Sequence, residues 1–583
     1  MKEINQKLDI ILAKAGQINN YQFLVTFIFL SQLICAEFIN QCLPFLERGP
    51  FVFIDDSQSS ELITYDICRN ESSKYVLDNE KSPISIVIDF NIFCDEKKIF
   101  FLGFSIYIGM IMGSCTSYIF TDSIGRKKIL IIVIPIYIIF LCTYKLLSSD
   151  FGEVGLNLLY FNFFISGFCG QIIVVTMIIY ICEIIKQTNI PIFVIIIITG
   201  IPLSNLLGTL FFNIDNLDWR NILLIIAALN AIIYSIMVFK LVASPIFSLN
   251  NELFETFVFD LMELAKRNKL NLELDDFDFL MPYINHETRK SIRHKYNEIN
   301  ESFMSTNAIN RVSFEKDTNI NDVEDEDENL IVENDKKKSL ILKEDYLLNN
   351  DESEGKLKLF GNLKMKDYSP LDLIRFNKQI KNFLILSFLW AITMLIKNGI
   401  NLKSKYIQQF HEELYWNVFN ILSEIASYFV VLLIFLKPKM DLHQSLVLFQ
   451  IISFIIFMFL YYIDLDNNEI AKIVLLILGR LCWTSLYAMI FVITSIIYPI
   501  MIRTKGFGWN KAFGFLGVII EIVLTEFIEL KTNITVFLIF GFFSLVLSYG
   551  LPNKIGTFIL ESPSIINQEK EKPDDNFEQF EKI

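Results

Sequence analysis

The stretch Tyr107–Leu130, YIGMIMGSCTSYIFTDSIGRKKIL, decides the fold of this chain. It begins apolar, becomes polar and basic at TDSIGRKK, and then becomes apolar again. Two apolar segments joined by so short a polar loop predict two membrane helices that form a hairpin at one face of a bilayer. Because cations concentrate in cytoplasmic loops, the three cations of this loop indicate that the turn is cytoplasmic. Gly125 allows the backbone to reverse between Asp122 and Arg126.

The composition agrees with a polytopic helical membrane protein. Of the 583 residues 53% are hydrophobic and 55 are Phe, and several uncharged runs reach the roughly 20 residues that cross a bilayer. The net charge of −14 falls largely in one hydrophilic segment, so it does not indicate a basic partner, and no nucleic acid is expected. The first apolar run is long enough to be a membrane helix itself, so no cleavable signal peptide is expected.

Twelve apolar spans in two groups of six predict an all-α membrane protein with two six-helix halves. The spans are expected at about 22–43, 99–121, 128–147, 156–183, 191–213, 220–243, 382–402, 414–436, 443–464, 470–498, 507–529 and 534–552. The domains are a cytoplasmic segment (1–21), an N-terminal half (22–247) with an external loop (44–98), a cytoplasmic loop (248–380), a C-terminal half (381–552) and a cytoplasmic tail (553–583). Within the cytoplasmic loop, the acidic composition of about 312–355 predicts a disordered insertion.

The external loop carries two candidate modifications. Because the hairpin turn that follows is cytoplasmic, the loop before it must be external. A glycosylation sequon begins at Asn70. Cys42, Cys68 and Cys94 lie in or beside this loop, and an external position favours a disulfide there, for which Cys68 and Cys94 are the candidates.

The elbow at 121–128 resembles the signature Asp-x-x-Gly-Arg-Lys loop between the second and third helices of the major facilitator superfamily. In that family the loop latches the two halves in the outward-facing state. The resemblance implies gating roles for Asp122, Gly125, Arg126 and Lys127. The match is partial, because the family's usual Gly four residues before the Asp is Tyr118 here.

Shorter stretches resemble the organic cation/anion transporters within that superfamily. The resemblance includes the large first external loop, Ser244-Pro245 after the sixth predicted span, Glu424 in the eighth span, and Tyr498-Pro499 followed by Arg503. It implies that Glu183 and Arg503 also take part in gating. The chain departs from the family in two places. The fourth predicted span lacks the Arg that the family carries there, and the second copy of the elbow, at 437–439, lacks Gly-Arg-Arg.

Ionisable residues inside a bilayer are costly, so each is a functional candidate. Five of those within predicted spans stand out: Glu37, Lys397, Glu424, Arg480 and Glu521, with Glu526 about a turn beyond Glu521. A cationic substrate would seek Glu424 or Glu521, and an anionic one Lys397 or Arg480. The alternatives are that these charges pair with one another for packing, or that Lys397 and Glu37 snorkel to the interface.

Aromatic side chains could line a cavity for organic ions. The aromatic candidates are Tyr180, Phe388, Trp390, Trp483 and Tyr487. The complete predicted substrate site comprises Glu424, Arg480, Lys397, Glu521, Trp390 and Tyr487.

No enzyme chemistry, cofactor or metal site is expected, because four His are scattered and no phosphate-binding loop precedes a helix. The resemblance implies a secondary active or facilitative transporter of small organic ions that works by alternating access, with both termini cytoplasmic and the plasma membrane as the default location. One alternative is a carrier of sugar, phosphate or another neutral metabolite on the same fold. Another is a non-transporting receptor or scaffold whose acidic cytoplasmic loop binds a partner.

Overall fold

The computed structural model describes two long parts of the chain. The first is 10–277, with gaps at 13, 17, 55–59, 63–74, 78–84, 215–216, 252, 271 and 273. The second is 377–552, with gaps at 408–412, 437–441, 463–468 and 528–529. The predicted insertion at 312–355 and the tail at 553–583 lie outside the described residues.

The first described part is built from ten helices and one small sheet. The helices are α1 (Asn20–Leu46), α2 (Ile86–Asp89), α3 (Glu96–Ile124), α4 (Arg126–Thr143), α5 (Gly152–Ile184), α6 (Ile190–Ile198), α7 (Gly200–Phe212), α8 (Trp219–Lys240), α9 (Pro245–Asn250) and α10 (Phe254–Arg267). The strands β1 (Phe51–Ile54), β2 (Ser60–Leu62) and β3 (Tyr75–Leu77) form an antiparallel sheet with β1 in the middle.

The second described part contains six helices. They are α11 (Asn377–Ile407), α12 (Glu413–Leu436), α13 (Leu442–Tyr462), α14 (Glu469–Ile497), α15 (Ile500–Phe527) and α16 (Leu530–Ser548). Within the described residues, 11 helical spans are long and apolar enough to cross a membrane, and α16 adds the shorter apolar segment Ile534–Ser548. The predicted all-α membrane fold is confirmed, and the 11 spans with the shorter segment agree roughly with the twelve helices predicted. The small sheet in the first loop is a local addition.

The fifth span is broken, which the sequence reading did not anticipate. Helix α6 ends at Ile198 and α7 begins at Gly200. Pro202 has no N–H to donate to the carbonyl of Ile198, and its ring clashes with that carbonyl in a straight helix. The span therefore crosses as two helical segments that meet at Thr199.

Each half packs mainly against itself. In the first half α3 lies against α5, and α1 contacts α5, α7 and α8; in the second half α11 packs on α14 and α15, and α12 and α13 pack on α14. Between the halves α15 packs against α3, and α12 packs against α6 and α7. Gly508 of α15 lies so close to the backbone of Ser114 in α3 that any Cβ there would collide. The absence of a side chain therefore sets the distance between the halves.

Candidate functional site

The elbow between α3 and α4 holds a buried ion-pair cluster. The guanidinium Nη2 of Arg126 lies 3.2 Å from Oδ1 of Asp122 and 2.7 Å from Oε1 of Glu183 on α5. Its Nη1 also donates to the carbonyl of Thr121 at 3.0 Å. The Arg126 side chain has no solvent exposure, so both carboxylates are needed to offset the desolvation of its charge.

Asp122 links the two halves of the molecule. Its Oδ1 accepts a hydrogen bond of 3.0 Å from the Thr504 hydroxyl, and its Oδ2 lies 3.9 Å from Nζ of Lys505. Both partners stand near the start of α15, in the other half. This end of the bundle, which we call the elbow end, is therefore bridged by charge in the described conformation.

Local backbone geometry fixes the elbow. Gly125 ends α3 and begins α4 with φ of 99°, a left-handed conformation that favours glycine. A Cβ at this position would lie 3.1 Å from the ring of Phe247. The same ring lies 4.9 Å from Cζ of Arg126. Ser244, the N-cap of α9, donates to Oε2 of Glu183 at 2.6 Å, so α9 is tied to the cluster.

A second buried carboxyl lies just beyond the elbow on α10. Asp260 accepts a hydrogen bond of 2.6 Å from the Ser248 hydroxyl of α9. Burial raises the pKa of Asp260 from 3.8 to about 6, and neighbouring Glu263 adds to this while Ser248 and Lys127 oppose it. The docking of α10 onto α9 therefore includes a carboxyl that titrates close to neutral pH.

Two further predicted gating residues are the cations Arg503 and Lys127, and Arg503 lies close enough to Glu183 and Arg126 to interact with them electrostatically. Arg503 is buried, and its Nε donates to the carbonyl of Tyr498 at 3.2 Å, within its own half. Lys127 is half-buried on α4. Of the gating residues predicted from sequence, the structure brings Asp122, Arg126 and Glu183 into direct contact.

A second charge cluster lies inside the C-terminal half. Glu424 of α12 binds two cations: its Oε1 is 2.7 Å from Nζ of Lys397, and its Oε2 is 3.4 Å from Nη2 of Arg480. Tyr428 also donates to Oε1 at 3.4 Å. Lys397 is paired and only 11% exposed, so its charge stays with the protein instead of reaching the membrane interface. One carboxylate and two cations give this cluster a net positive charge.

An aromatic wall, formed by Trp390, Tyr487 and Phe491, adjoins that cluster. The ammonium of Lys397 lies 4.4 Å from the centroid of the Tyr487 ring, within the range of a cation–π interaction. Tyr487 packs against Phe491 at 5.7 Å, and Trp390 contacts both rings at 5.7 and 5.4 Å. Trp390 is fully buried and donates Nε1 to Thr494 at 2.8 Å. The wall is therefore fixed by packing and by a hydrogen bond.

A third pair joins the halves near this wall. Lys511 of α15 lies 4.0 Å from Oε1 of Glu37 on α1. Glu37 is held in place by Gln171 and Asn40, whose amide nitrogens each donate to it at 2.9 Å. The ammonium of Lys511 is also 5.3 Å from the ring centroid of Phe491. Glu37 and Lys511 thus face each other across the interface between the halves.

Glu521 lies ten residues beyond Lys511 on α15, which is nearly three helical turns. Its Oε2 accepts a hydrogen bond of 3.4 Å from the Asn398 amide of α11. A Cβ on Gly399 would lie 3.0 Å from its Oε1. The neighbours of Glu521 are therefore the residues next to Lys397 in sequence, and the two predicted residues lie near each other.

Several sequence candidates lie away from these clusters. Phe388 is 58% exposed on α11. Trp483 packs beside Phe457 of α13, and Tyr180 donates to the carbonyl of Val242. Cys94 takes part in a disulfide. Its proposed partner Cys68, the sequon at Asn70 and the side chain of Glu526 lie outside the described residues.

Sequence reasoning missed three residues of these clusters. Thr504 and Lys505 contact Asp122 although 382 and 383 residues separate them in the chain, and no local pattern signals such a contact. Lys511 could have been found, because it is a charge within the predicted span 507–529 and meets the same criterion as Glu521. In the described part of the chain, no three His, Cys, Asp or Glu residues are grouped as a metal site.

Comparison with known proteins identifies the family. The sequence profile of the Major Facilitator Superfamily matches residues 95–522. Among solved structures, the proton:xylose symporter XylE bound to 6-bromo-6-deoxy-D-glucose is similar, with a TM-score of 0.57 and 12% identity over 94% of this chain and 99% of that chain. A double tryptophan mutant of XylE gives a TM-score of 0.56 with the same identity and coverage. At this identity the likeness concerns the fold alone. No curated protein matches the sequence.

The profile match over most of the chain shows that this integral membrane protein belongs to the major facilitator superfamily, whose members are transporters.

Proposed function

We propose that the protein is a secondary active or facilitative transporter of small organic ions that works by alternating access. The observation that carries the proposal is the concentration of buried charge at the centre of the helical bundle. Six ionisable residues are involved: Glu37, Lys397, Glu424, Arg480, Lys511 and Glu521. Charge inside a membrane protein marks a substrate or ion pathway more often than a packing motif, because its desolvation must be compensated.

The aromatic wall favours organic ions as the substrate class. The Tyr487 and Phe491 rings connect the ammonium groups of Lys397 and Lys511. Such a surface suits a substrate that has both an apolar body and a charged group. A carrier dedicated to sugars would instead need mainly uncharged donors and acceptors around its cavity.

The proposed role of the elbow cluster is gating. Asp122 of the first half bridges to Thr504 and Lys505 of the second half. If the halves rock about the central site, these contacts must break when the elbow end opens. Lys127, Gly125 and Arg503 are proposed to support the same closed state through the backbone and packing around the elbow.

The proposal includes the orientation of the protein in the membrane. Cations at the elbow support a cytoplasmic elbow end with both chain termini cytoplasmic. The disulfide at Cys94 supports an external position for the first loop. We propose the plasma membrane as the location, with Asn70 glycosylated.

Two alternatives to organic-ion transport are tested in the same experiment. One is a neutral-metabolite carrier, for which the similar fold of a proton:xylose symporter gives a reason. The other is a non-transporting receptor whose acidic cytoplasmic loop binds a partner. The complete elbow cluster and its bridge to α15 count against the second, because a scaffold has no need of a breakable contact between its halves.

The test is uptake by proteoliposomes that contain the purified protein. A labelled organic cation, an organic anion and a sugar are each offered under an imposed membrane potential of either sign. Organic-ion transport predicts uptake of an ion whose rate changes with the sign of the potential or with a counter-anion inside. Uptake of the sugar alone would support the neutral-metabolite carrier, and uptake of none would support the receptor.

A further inference from the structure

We propose that Lys511 is the binding residue for the anionic group of the substrate, so that the organic ion carried by this protein is an anion such as an aromatic carboxylate. The inference rests on the proposed function and specifies its substrate class. The first observation that supports it is the number of hydrogen bonds made by the Lys511 ammonium. A protonated lysine has three N–H donors, yet Nζ of Lys511 has no hydrogen-bond partner among the described residues, although the side chain is only 2% exposed.

The nearest carboxylate, that of Glu37, does not accept a hydrogen bond from Lys511. Oε1 of Glu37 lies 4.0 Å from Nζ of Lys511, beyond hydrogen-bond distance. Gln171 and Asn40 each donate to Glu37 at 2.9 Å and so hold the carboxylate in place. Electrostatic attraction stabilises the charge of Lys511, but no acceptor in the described part of the chain takes a hydrogen bond from its ammonium.

The surroundings of Lys511 fit the apolar body of an organic anion. Its ammonium lies 5.3 Å from the ring centroid of Phe491 and 5.8 Å from that of Phe515. Phe515 also faces Tyr107 of α3, in the other half, at a centroid distance of 6.5 Å. A ligand carboxylate on Lys511 would therefore lie beside two aromatic rings of the second half, one of which contacts Tyr107 of the first.

The cluster around Glu424 favours an anion over a cation, because its two cations outnumber its one carboxylate. Glu424 is already occupied by two of the protein's own cations, with Lys397 stacked on Tyr487 at 4.4 Å. An external cation would have to displace a tethered ammonium at 2.7 Å from the carboxylate. Among the described residues, Nε of Arg480 also lacks a hydrogen-bond partner, so a second buried N–H in this cluster can donate to an anionic or polar group.

This arrangement gives the substrate a route to influence the two halves. Lys511 belongs to the second half and Glu37 to the first, so they form an attraction between halves that an anion on Lys511 would weaken. Binding would thus replace a protein–protein attraction with a protein–ligand one. That exchange is the differential interaction needed for a ligand to shift a conformational equilibrium.

The test measures ligand-induced thermal stabilisation of the purified protein in detergent. The panel contains benzoate and phenylacetate as aromatic anions, tetraethylammonium and tetraphenylphosphonium as organic cations, and glucose and xylose as neutral compounds. The variants are Lys511→Gln, Lys511→Arg, and the control Lys145→Gln, an exposed lysine that contacts Asn221 outside these clusters. A ligand that binds the folded state alone raises its stability in proportion to the logarithm of its concentration.

We expect the anions to stabilise the wild type and Lys145→Gln, with apparent affinity at least tenfold weaker in Lys511→Gln and within about threefold of wild type in Lys511→Arg. Stabilisation by cations but not anions would overturn the anion assignment and leave organic-ion transport standing. Equal stabilisation by anions in wild type and Lys511→Gln would overturn the role of Lys511 alone. Stabilisation by sugars only, or by no member of the panel, would count against both this inference and the proposed function. If Lys511→Gln fails to fold, the Lys511→Met variant and labelled benzoate uptake by membrane vesicles provide the same comparison.

Discussion

Replacing Asp122 with Asn should shift the protein away from the conformation whose elbow end is closed. Asp122 receives a hydrogen bond from Thr504 at 3.0 Å and lies 3.9 Å from Lys505, both in the other half. The amide oxygen of Asn can still accept from Thr504, but the charge is lost. A hydrogen bond to a charged group contributes roughly 1.5–3 kcal/mol. A hydrogen bond between neutral groups contributes roughly 0.5–1.5 kcal/mol, so losing the charge costs about 1–1.5 kcal/mol and should shift the equilibrium between conformations roughly 5- to 12-fold.

The shift can be measured as a distance between spin labels at Lys128 and Lys381. Both positions are exposed, and they lie in different halves. Ser387 contacts Asn510 and Asn398 contacts Glu521, so α11 runs parallel to α15, and Lys381 lies at the elbow end as Thr504 does. Cys115 and Cys142, the described free cysteines that are not buried, are first replaced by Ser.

We expect a short distance to dominate in the wild type and a longer one to gain population in Asp122→Asn. The matched control is Asp150→Asn, which removes an exposed carboxylate that contacts only Ser148 by hydrogen bond. It should give the wild-type distribution. Identical distributions in the wild type and Asp122→Asn would refute the reasoning that the carboxylate holds the two halves together.

Three further predictions concern the elbow, α10 and the segment 312–355. Gly125→Ala should lower the thermal stability, by about 1 kcal/mol or more, because alanine strains the backbone at a φ of 99°; a melting temperature equal to the wild type would contradict this. The free energy of unfolding should fall as the pH rises from about 4 to about 7, because the folded-state pKa of Asp260 is about 6 against an ordinary 3.8, with about 3 kcal/mol as the upper limit. Asp260→Asn should remove that part of the pH dependence, and an unchanged profile would exclude the carboxyl as its source. Deletion of 312–355 should leave expression and melting temperature unchanged, whereas loss of membrane expression would argue that the segment is structured.

The fold could be predicted because its determinants are local. Each span is a predominantly apolar run, and the elbow needs only Gly125 and the charges around it. Helix length and loop charge then give the order of the spans, as the confirmed all-α class shows. The break of the fifth span at Pro202 was also local, and it was missed because a single proline in a long apolar run was not weighed against the helix.

The contacts between distant residues could not be predicted in this way. Asp122 was identified from its motif, but its partner Thr504 has no feature that distinguishes it from other hydroxyl residues on α15. Likewise, Glu424 and Arg480 were each singled out as buried charges, whereas their pairing with Lys397 depends on how α11, α12 and α14 pack together. The pairing matters functionally, because it changes Glu424 from an open cation site into an occupied one.

The most direct test of the account is organic-ion uptake by proteoliposomes containing wild type, Glu424→Asp or Glu424→Gln, with folding checked by gel filtration. Removing the carboxylate leaves Lys397 and Arg480 as uncompensated buried cations, a change that costs roughly 3–5 kcal/mol, whereas Asp keeps the charge. We expect uptake in the wild type, reduced uptake in Glu424→Asp, and at least a tenfold loss in folded Glu424→Gln. Uptake at the wild-type rate in folded Glu424→Gln would contradict the claim that the buried charges form the transport site.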